Sequence, residues 1–349
     1  MAERQIPPDY WTTAEVMKGI FETKTCLAKP HSPEPCQGKI VAAHTIPRSQ
    51  LAKMAPDGHV YAVAGTPADF ARTDGQLTAK KYGIRNFSIL NCFCATHDNK
   101  IFSHIEDDNL VFDGHQLTLL QYRTLASELY RKATAYHSIL HQIEQQQKTK
   151  RKNKEAIDFL MAHAVGTLAG VRDAGTAFET CATNLFAEKH DQVSALVVHF
   201  KKLPSIMTVG GFLAQFDYEG KPLQVLNDLE TIAQIVCFNI LAAADHATVI
   251  FLWPKEHSKI GKQFADSLLA QGSSLYSALA IQTAFEYLEN TCVSNDWWET
   301  QKPIIRTLLM NRMQSSANLI EKRASNSLTF GGVNFDQWDY DRHEFINVA

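Results

Sequence analysis

No apolar run in this chain approaches the roughly 18–20 residues that span a bilayer, so no membrane segment is expected. The first residues, MAERQIPPDYW, carry acids and no apolar stretch, which argues against a secretory signal and makes the cytoplasm the expected location. A glycine-rich phosphate loop ahead of a helix is missing, and so is the glycine pattern of a nucleophile elbow. ATPase and hydrolase readings therefore have no support. Charge of one sign is lacking too. Lys and Arg number 34 against 37 Asp and Glu, a net charge of −3, which excludes a globally basic nucleic-acid coat but leaves room for a local basic patch. Cysteines number only seven, and four of them, Cys26, Cys36, Cys92 and Cys94, fall in the first hundred residues. In a reducing compartment these read as metal ligands or core residues before disulfides. Cys181, Cys237 and Cys292 stand alone in apolar-rich segments and read as small buried hydrophobes.

The 349 residues are enough for two or three domains with a sizeable core, and 45% apolar residues is ordinary for a globular protein. The patterning predicts an α+β chain in four parts: a zinc module over 1–110, a helical hairpin over 111–191, an α+β domain over 192–325 and an extended tail over 326–349. Residues 1–110 are dense in loop signals such as KPHSPEPCQG, MAPDGH and AGTPADF, and a metal would help such a segment to fold. Within it GKIVAAHTI and HVYAVA read as two short strands forming a hairpin. THDNKIFSHIED reads as a helix with Thr96 as N-cap and with Ile101, Phe102 and Ile105 on one face.

From 115 to 147, Leu117, Leu120, Leu125, Leu129, Tyr136, Leu140 and Ile143 recur at helical spacing. After the basic turn KTKRKNK, a second helical stripe runs from 155 to 189, so the pair predicts an antiparallel hairpin. The stripe can equally pair with a second copy, which makes a homodimer one expectation. Between 194 and 254, ALVVHF, IMTVGGFLAQFDY, QIVCFNIL and TVIFLW predict an antiparallel sheet of about four strands, with YEGKP as a hairpin turn. Helices return after 258, and the aromatic, acidic tail reads as extended and docked on another surface.

The chemistry concentrates in the first hundred residues. Zinc prefers four thiolate or imidazole ligands in a tetrahedron. Cys94 and His97 have the two-residue gap that a knuckle at a helix start supplies. Cys26 and Cys36 form a looser pair, with nine residues between them, three of them prolines. The four together predict a structural Zn²⁺ site, with Cys92 as an alternative to Cys94.

GKIVAAHTIPRSQL resembles the strand of treble-clef HNH endonucleases that ends in a histidine followed by Ile-Pro-x-Ser. NFSILNCFCATHDNK is similar to the closing knuckle and helix start of that ββα-metal module. The resemblance covers about residues 22 to 106. It implies a metal-dependent nuclease acting on phosphodiesters, DNA in preference to RNA, with defence against foreign DNA as a context. It assigns His44 as the general base and Asp98 to the catalytic divalent ion, in a place where such enzymes carry histidine. A carboxylate there favours Mg²⁺ or Mn²⁺. Asn99 would orient His44 or the substrate, and Arg48 and Lys100 would neutralise phosphate charge. His59, His104 and Glu106 are further candidates, and Lys80, Lys81 and Arg85 lie in the long loop between the motif's two halves. Ala43 departs from the pattern, since active members carry Asp, Glu or His just before the catalytic histidine. The alternative expectation is therefore a nucleic-acid- or protein-binding sensor whose treble clef has lost its chemistry.

Overall fold

The computed structural model describes residues 8–63, 73, 75–106, 109–148, 153–226, 228–316 and 322–348, with side chains from residue 13 onward. In chain order the elements are α1 (Pro8–Phe21), β1 (Ile40–His44), α2 (Arg48–Met54), β2 (His59–Ala62), β3 (Lys80–Gly83), β4 (Ile89–Cys94) and α3 (Ala95–Glu106). The long helices α4 (Gly114–Lys148) and α5 (Lys154–Phe186) follow, then strands β5 (Val193–Phe200), β6 (Ile206–Leu213), β7 (Ile235–Ala243) and β8 (His246–Pro254). The chain closes with α6 (Ser258–Leu269), α7 (Tyr276–Tyr287), β9 (Thr291–Ser294), α8 (Asn295–Thr300), α9 (Pro303–Ser316) and β10 (Tyr340–Ile346).

The dominant feature is an eight-stranded antiparallel sheet in the order β10-β5-β8-β7-β6-β9-β2-β3. Its central strands are apolar at nearly every position because both faces are covered. Side chains alternate across the sheet. Ala195, Val197, Cys237, Leu241, Ile250 and Leu252 face one core, shared with α4, α5 and the zinc region. Leu196, Val198, Phe238, Ile240, Phe251 and Trp253 face the other, shared with α6, α7 and α9. Phe251 and Trp253 have no exposed surface. Gly261 of α6 lies flat on Trp253, where a Cβ would come within 2.2 Å of the indole.

Several sequence expectations stand corrected. The first two strands do not form a hairpin with each other. β1 pairs antiparallel with β4 in a separate two-stranded sheet, while β2 pairs with β3 and β9 and so extends the large sheet. That sheet has eight strands rather than four. The tail does dock, as edge strand β10 against β5. Thr96 does not cap α3: it lies within the helix and its hydroxyl donates to the Gln37 carbonyl at 2.8 Å. YEGKP turns as expected, with the Asp217 amide bonded to the Lys221 carbonyl at 3.0 Å and Gly220 at φ +81°.

The two long helices pack against each other. Leu117, Leu120 and Leu125 are buried, but Ile139 rather than Leu140 is the buried residue further along. On α5, Met161, Val165 and Leu168 stay uncovered, each about half exposed. The basic turn between the helices falls largely at 149–152, outside the described residues. Among the described residues no helix is long and apolar enough to cross a membrane.

Candidate metal centre and adjoining polar cluster

Three chain segments meet at the start of α3. β4 ends at Cys94 and the helix begins at once, so the first helical turn carries His97 back toward Cys94, with Nδ1 and Sγ 3.4 Å apart. Residues 25–27 run beside β4, with the Thr25 and Leu27 amides bonded to the Asn91 and Cys92 carbonyls at 3.0 Å each. This register delivers Cys26, whose Sγ accepts from the Cys94 amide at 3.3 Å. The proline-rich loop is pinned to the helix start by the Ala95 amide on Lys39 and by Thr96 on Gln37, which brings in Cys36.

The four donors fit a tetrahedral ion. All their ligand atoms lie within 4.8 Å of one another. Cys26 Sγ is 3.2 Å and Cys36 Sγ 3.8 Å from His97 Nδ1, and the Cys36 and Cys94 sulfurs are 3.5 Å apart. Zinc–sulfur bonds of about 2.3 Å place tetrahedral sulfurs about 3.8 Å apart, close to what is found. The far nitrogen of His97 sits 3.0 Å from the Glu34 carbonyl. A carbonyl only accepts, so Nε2 carries the proton and Nδ1 presents its lone pair to the sulfurs, the orientation a ligating histidine needs. Burial and the two neighbouring sulfurs push the Cys36 thiol up to about 12. Burial also raises Cys94, but the amides of His97 and Gln37 and the neighbouring thiols outweigh it and hold Cys94 below its ordinary value. Crowded thiols competing for protons are what a divalent cation relieves. Cys26, Cys36, Cys94 and His97 can thus hold a metal ion, and a three-cysteine, one-histidine set suits zinc. Cys92 is not in the cluster; it is buried in the core and burial pushes its thiol up to about 12.

A second polar group lies beside this centre. His44 closes β1, and its Nε2 donates to the Ile84 carbonyl at 3.0 Å. That bond fixes the tautomer and leaves Nδ1 as the basic nitrogen. Burial lowers the pKa of His44, opposed by the Ile84 carbonyl and by the charge of Glu106. Asp98, in the first turn of α3, has a buried carboxylate oxygen with no hydrogen-bond partner. Burial raises its pKa to about 6, with Arg123 opposing and Glu106 adding to the rise. The charges of Glu106 and Arg123 thus reach both His44 and Asp98, while neither of those two shifts the other. Arg123 is 3% exposed, lies 4.0 Å over the Phe102 ring and pairs with Glu106 at 2.6 Å. Its Nε and Nη1 are buried without partners. Buried polar atoms without a protein partner, such as these, are places where water or a bound group can complete the bonding.

The other predicted residues are more peripheral. Arg48 is exposed and near enough to help lower the His44 pKa. Asn99 is exposed, and Lys100 pairs with Glu34 at 3.0 Å. His59, exposed on β2, has its Nδ1 on the Asp57 carbonyl at 2.9 Å, and Lys81 pairs with Asp57 at 3.3 Å. His104 packs against His115, which in turn packs against His190. Ala43 belongs to the hydrophobic core, so an acid in its place would be buried among apolar side chains. Sequence reasoning missed Arg123. The available signal was an arginine inside the most apolar turn of a long helix, between Leu120 and Leu125, where burial demands a partner.

Comparison with known proteins finds no matching family model, no similar curated protein and no similar solved structure.

Proposed function

We propose that the chain is a metal-dependent, HNH-like nuclease that hydrolyses phosphodiesters in nucleic acid, DNA in preference to RNA. The observation that carries this reading is the unpartnered, buried carboxylate oxygen of Asp98 on the helix that supplies His97 to the three-cysteine, one-histidine centre, with His44 on the adjoining strand pair held in one tautomer by the Ile84 carbonyl. In this reading the Cys26–Cys36 loop, the β1–β4 pair and α3 form a treble clef, with residues 45–88 inserted between its strands. Zinc holds that module together. His44 Nδ1 takes the proton of the attacking water, and the Ile84 carbonyl keeps the ring in the tautomer that can do so. Asp98 is the carboxylate for Mg²⁺ or Mn²⁺, which when bound would supply charge to the scissile phosphate and the leaving oxygen. Arg48 and Asn99 stand at the exposed rim for the substrate, with Lys100 further out. The uncovered Met161, Val165 and Leu168 stripe supports a second copy of the chain as partner.

The other reading is a zinc-stabilised nucleic-acid- or protein-binding sensor with a silent treble clef. Ala43 and the closed Arg123–Glu106 ion pair favour it.

Plasmid cleavage by the purified protein with Mg²⁺ or Mn²⁺, beside His44→Ala, separates the two. The nuclease reading expects metal-dependent cleavage that the variant loses while keeping its fold and its zinc. No cleavage of DNA or RNA with any divalent ion would transfer the conclusion to the sensor.

A further inference from the structure

A cleft of about 1010 Å³ opens on the face of the large sheet opposite the metal centre, between α7, α9 and the hairpin around 215–226. That is the size of a pocket for a small molecule. Phe216, Leu308 and Phe335 give it apolar and aromatic walls. Its charge is unbalanced, because among the described residues Arg312, Lys322 and Arg323 share it with one acid, Glu286.

Glu286 is buried and lies between the two guanidiniums. It accepts from Arg312 Nη1 at 3.0 Å through one oxygen and from Arg323 Nη1 through the other. Arg323 is also stacked 4.0 Å over the Tyr287 ring, and Arg312 donates to the Ser327 carbonyl. Both arginines are therefore held in place before any ligand arrives. A guanidinium has five N–H donors, and among the described residues only Nη1 of each arginine is bonded within the protein. The Ser327 hydroxyl, on the same wall, is buried without a partner. One carboxylate cancels one of three positive charges. What remains suits a dianion better than a single carboxylate, and arginine forks match phosphate oxygens in geometry.

We propose that this cleft binds a phosphorylated small molecule of nucleotide size, with its phosphate on Arg312, Lys322 and Arg323 and its apolar or planar body against Phe216 and Phe335. The site is separate from the nuclease reading, and its test uses no cleavage.

The test is calorimetric titration of the intact protein with AMP, ATP, pyrophosphate and adenosine, without added divalent ions. Saturable binding of AMP or ATP is expected, with adenosine failing at the same concentrations. Lys322→Glu changes an exposed side chain, leaves the fold alone and should weaken binding by about tenfold. Glu286→Gln keeps the shape of the acid and one of its two accepting oxygens, frees one arginine from its carboxylate partner, removes the competing negative charge and should tighten binding. Failure of AMP, ATP and pyrophosphate to bind would overturn the proposal. Adenosine binding as well as AMP would overturn the phosphate assignment, and binding insensitive to both substitutions would place the ligand elsewhere.

Discussion

Strand β7 is buried at all nine of its positions, whereas β1 buries only Ala43. Both are short and apolar in sequence, yet order comes to them differently. β7 sits mid-sheet between two cores, and its place is set by apolar area removed from water on both faces. β1 has one strand neighbour, β4, packs on α3, and is otherwise flanked by loops tied by one hydrogen bond at a time: an amide on Cys26 sulfur, Thr96 on Gln37, His97 on Glu34. Apolar burial is spread over many residues and tolerates the loss of one. A ligand set does not, because each of its four members is needed to close the coordination shell.

Removing a ligand should sharpen this contrast most. Structural zinc contributes about 10–16 kcal/mol to the folding of small zinc units. Cys94→Ser should therefore release the metal and expose residues 22–106 to protease while β5 to β8 stay protected in hydrogen exchange. Equal loss of protection in both regions would mean that the two fold as one cooperative unit. Next in size is Phe251→Ala, which should cost about 3–5 kcal/mol of global stability, read from the denaturant midpoint, with one zinc per folded chain unchanged. Loss of zinc before the sheet melts would break the comparison from the other side.

Asn290→Ala tests the seam between the regions. Asn290 Nδ2 donates to the Thr45 hydroxyl and the Val209 carbonyl, both at 2.9 Å, so it ties β6 to the residue after His44. The Thr45 hydroxyl keeps its bonds to Ser88, so losing the two Asn290 bonds should cost about 1 kcal/mol each at most and loosen exchange at 44–46 more than at 240–250. The smallest effect concerns pH. Burial holds the His44 pKa below 6.5, so as pH falls the unfolded chain takes up the proton first. The contribution of neutral His44 is then complete above 6.5 and is lost as pH drops toward the folded value. On the nuclease reading proposed above, cleavage should share that acid limb, lying below the ordinary imidazole range. A limb at or above 6.5 would assign the base to another group.

The parts of the structure that rest on local spacing were legible in the sequence. Cys94 and His97 meet because a helix start brings residues three apart together, and the four-strand block within 193–254 follows from apolar runs and turns. What was not legible depends on long-range pairing. Nothing in GKIVAAH says that its partner is NCFC rather than HVYA, since all three are short, apolar strands whose choice is settled by the surrounding cores. The same holds for Glu106 and Arg123, 17 residues apart on different helices, whose ion pair exists only because α3 packs on α4. Leu140 belongs to the apolar stripe by spacing yet lies exposed, because the stripe of a 35-residue helix runs past the stretch that the core covers.

The insertion of β2 and β3 into the large sheet has a consequence for anyone dividing this protein. The gene cannot be cut near residue 110 without tearing a ladder. The front piece would carry β2 with one edge stripped of β9, and the back piece would keep β9 with its outer row of amides and carbonyls newly bare. Both fragments would present fresh strand edges, the surfaces along which chains add to one another. Expressed apart, each half is expected to self-associate. Mixed during refolding, the two should find each other through the same six residues, Val60 to Ala62 and Cys292 to Ser294, that pair in the intact chain.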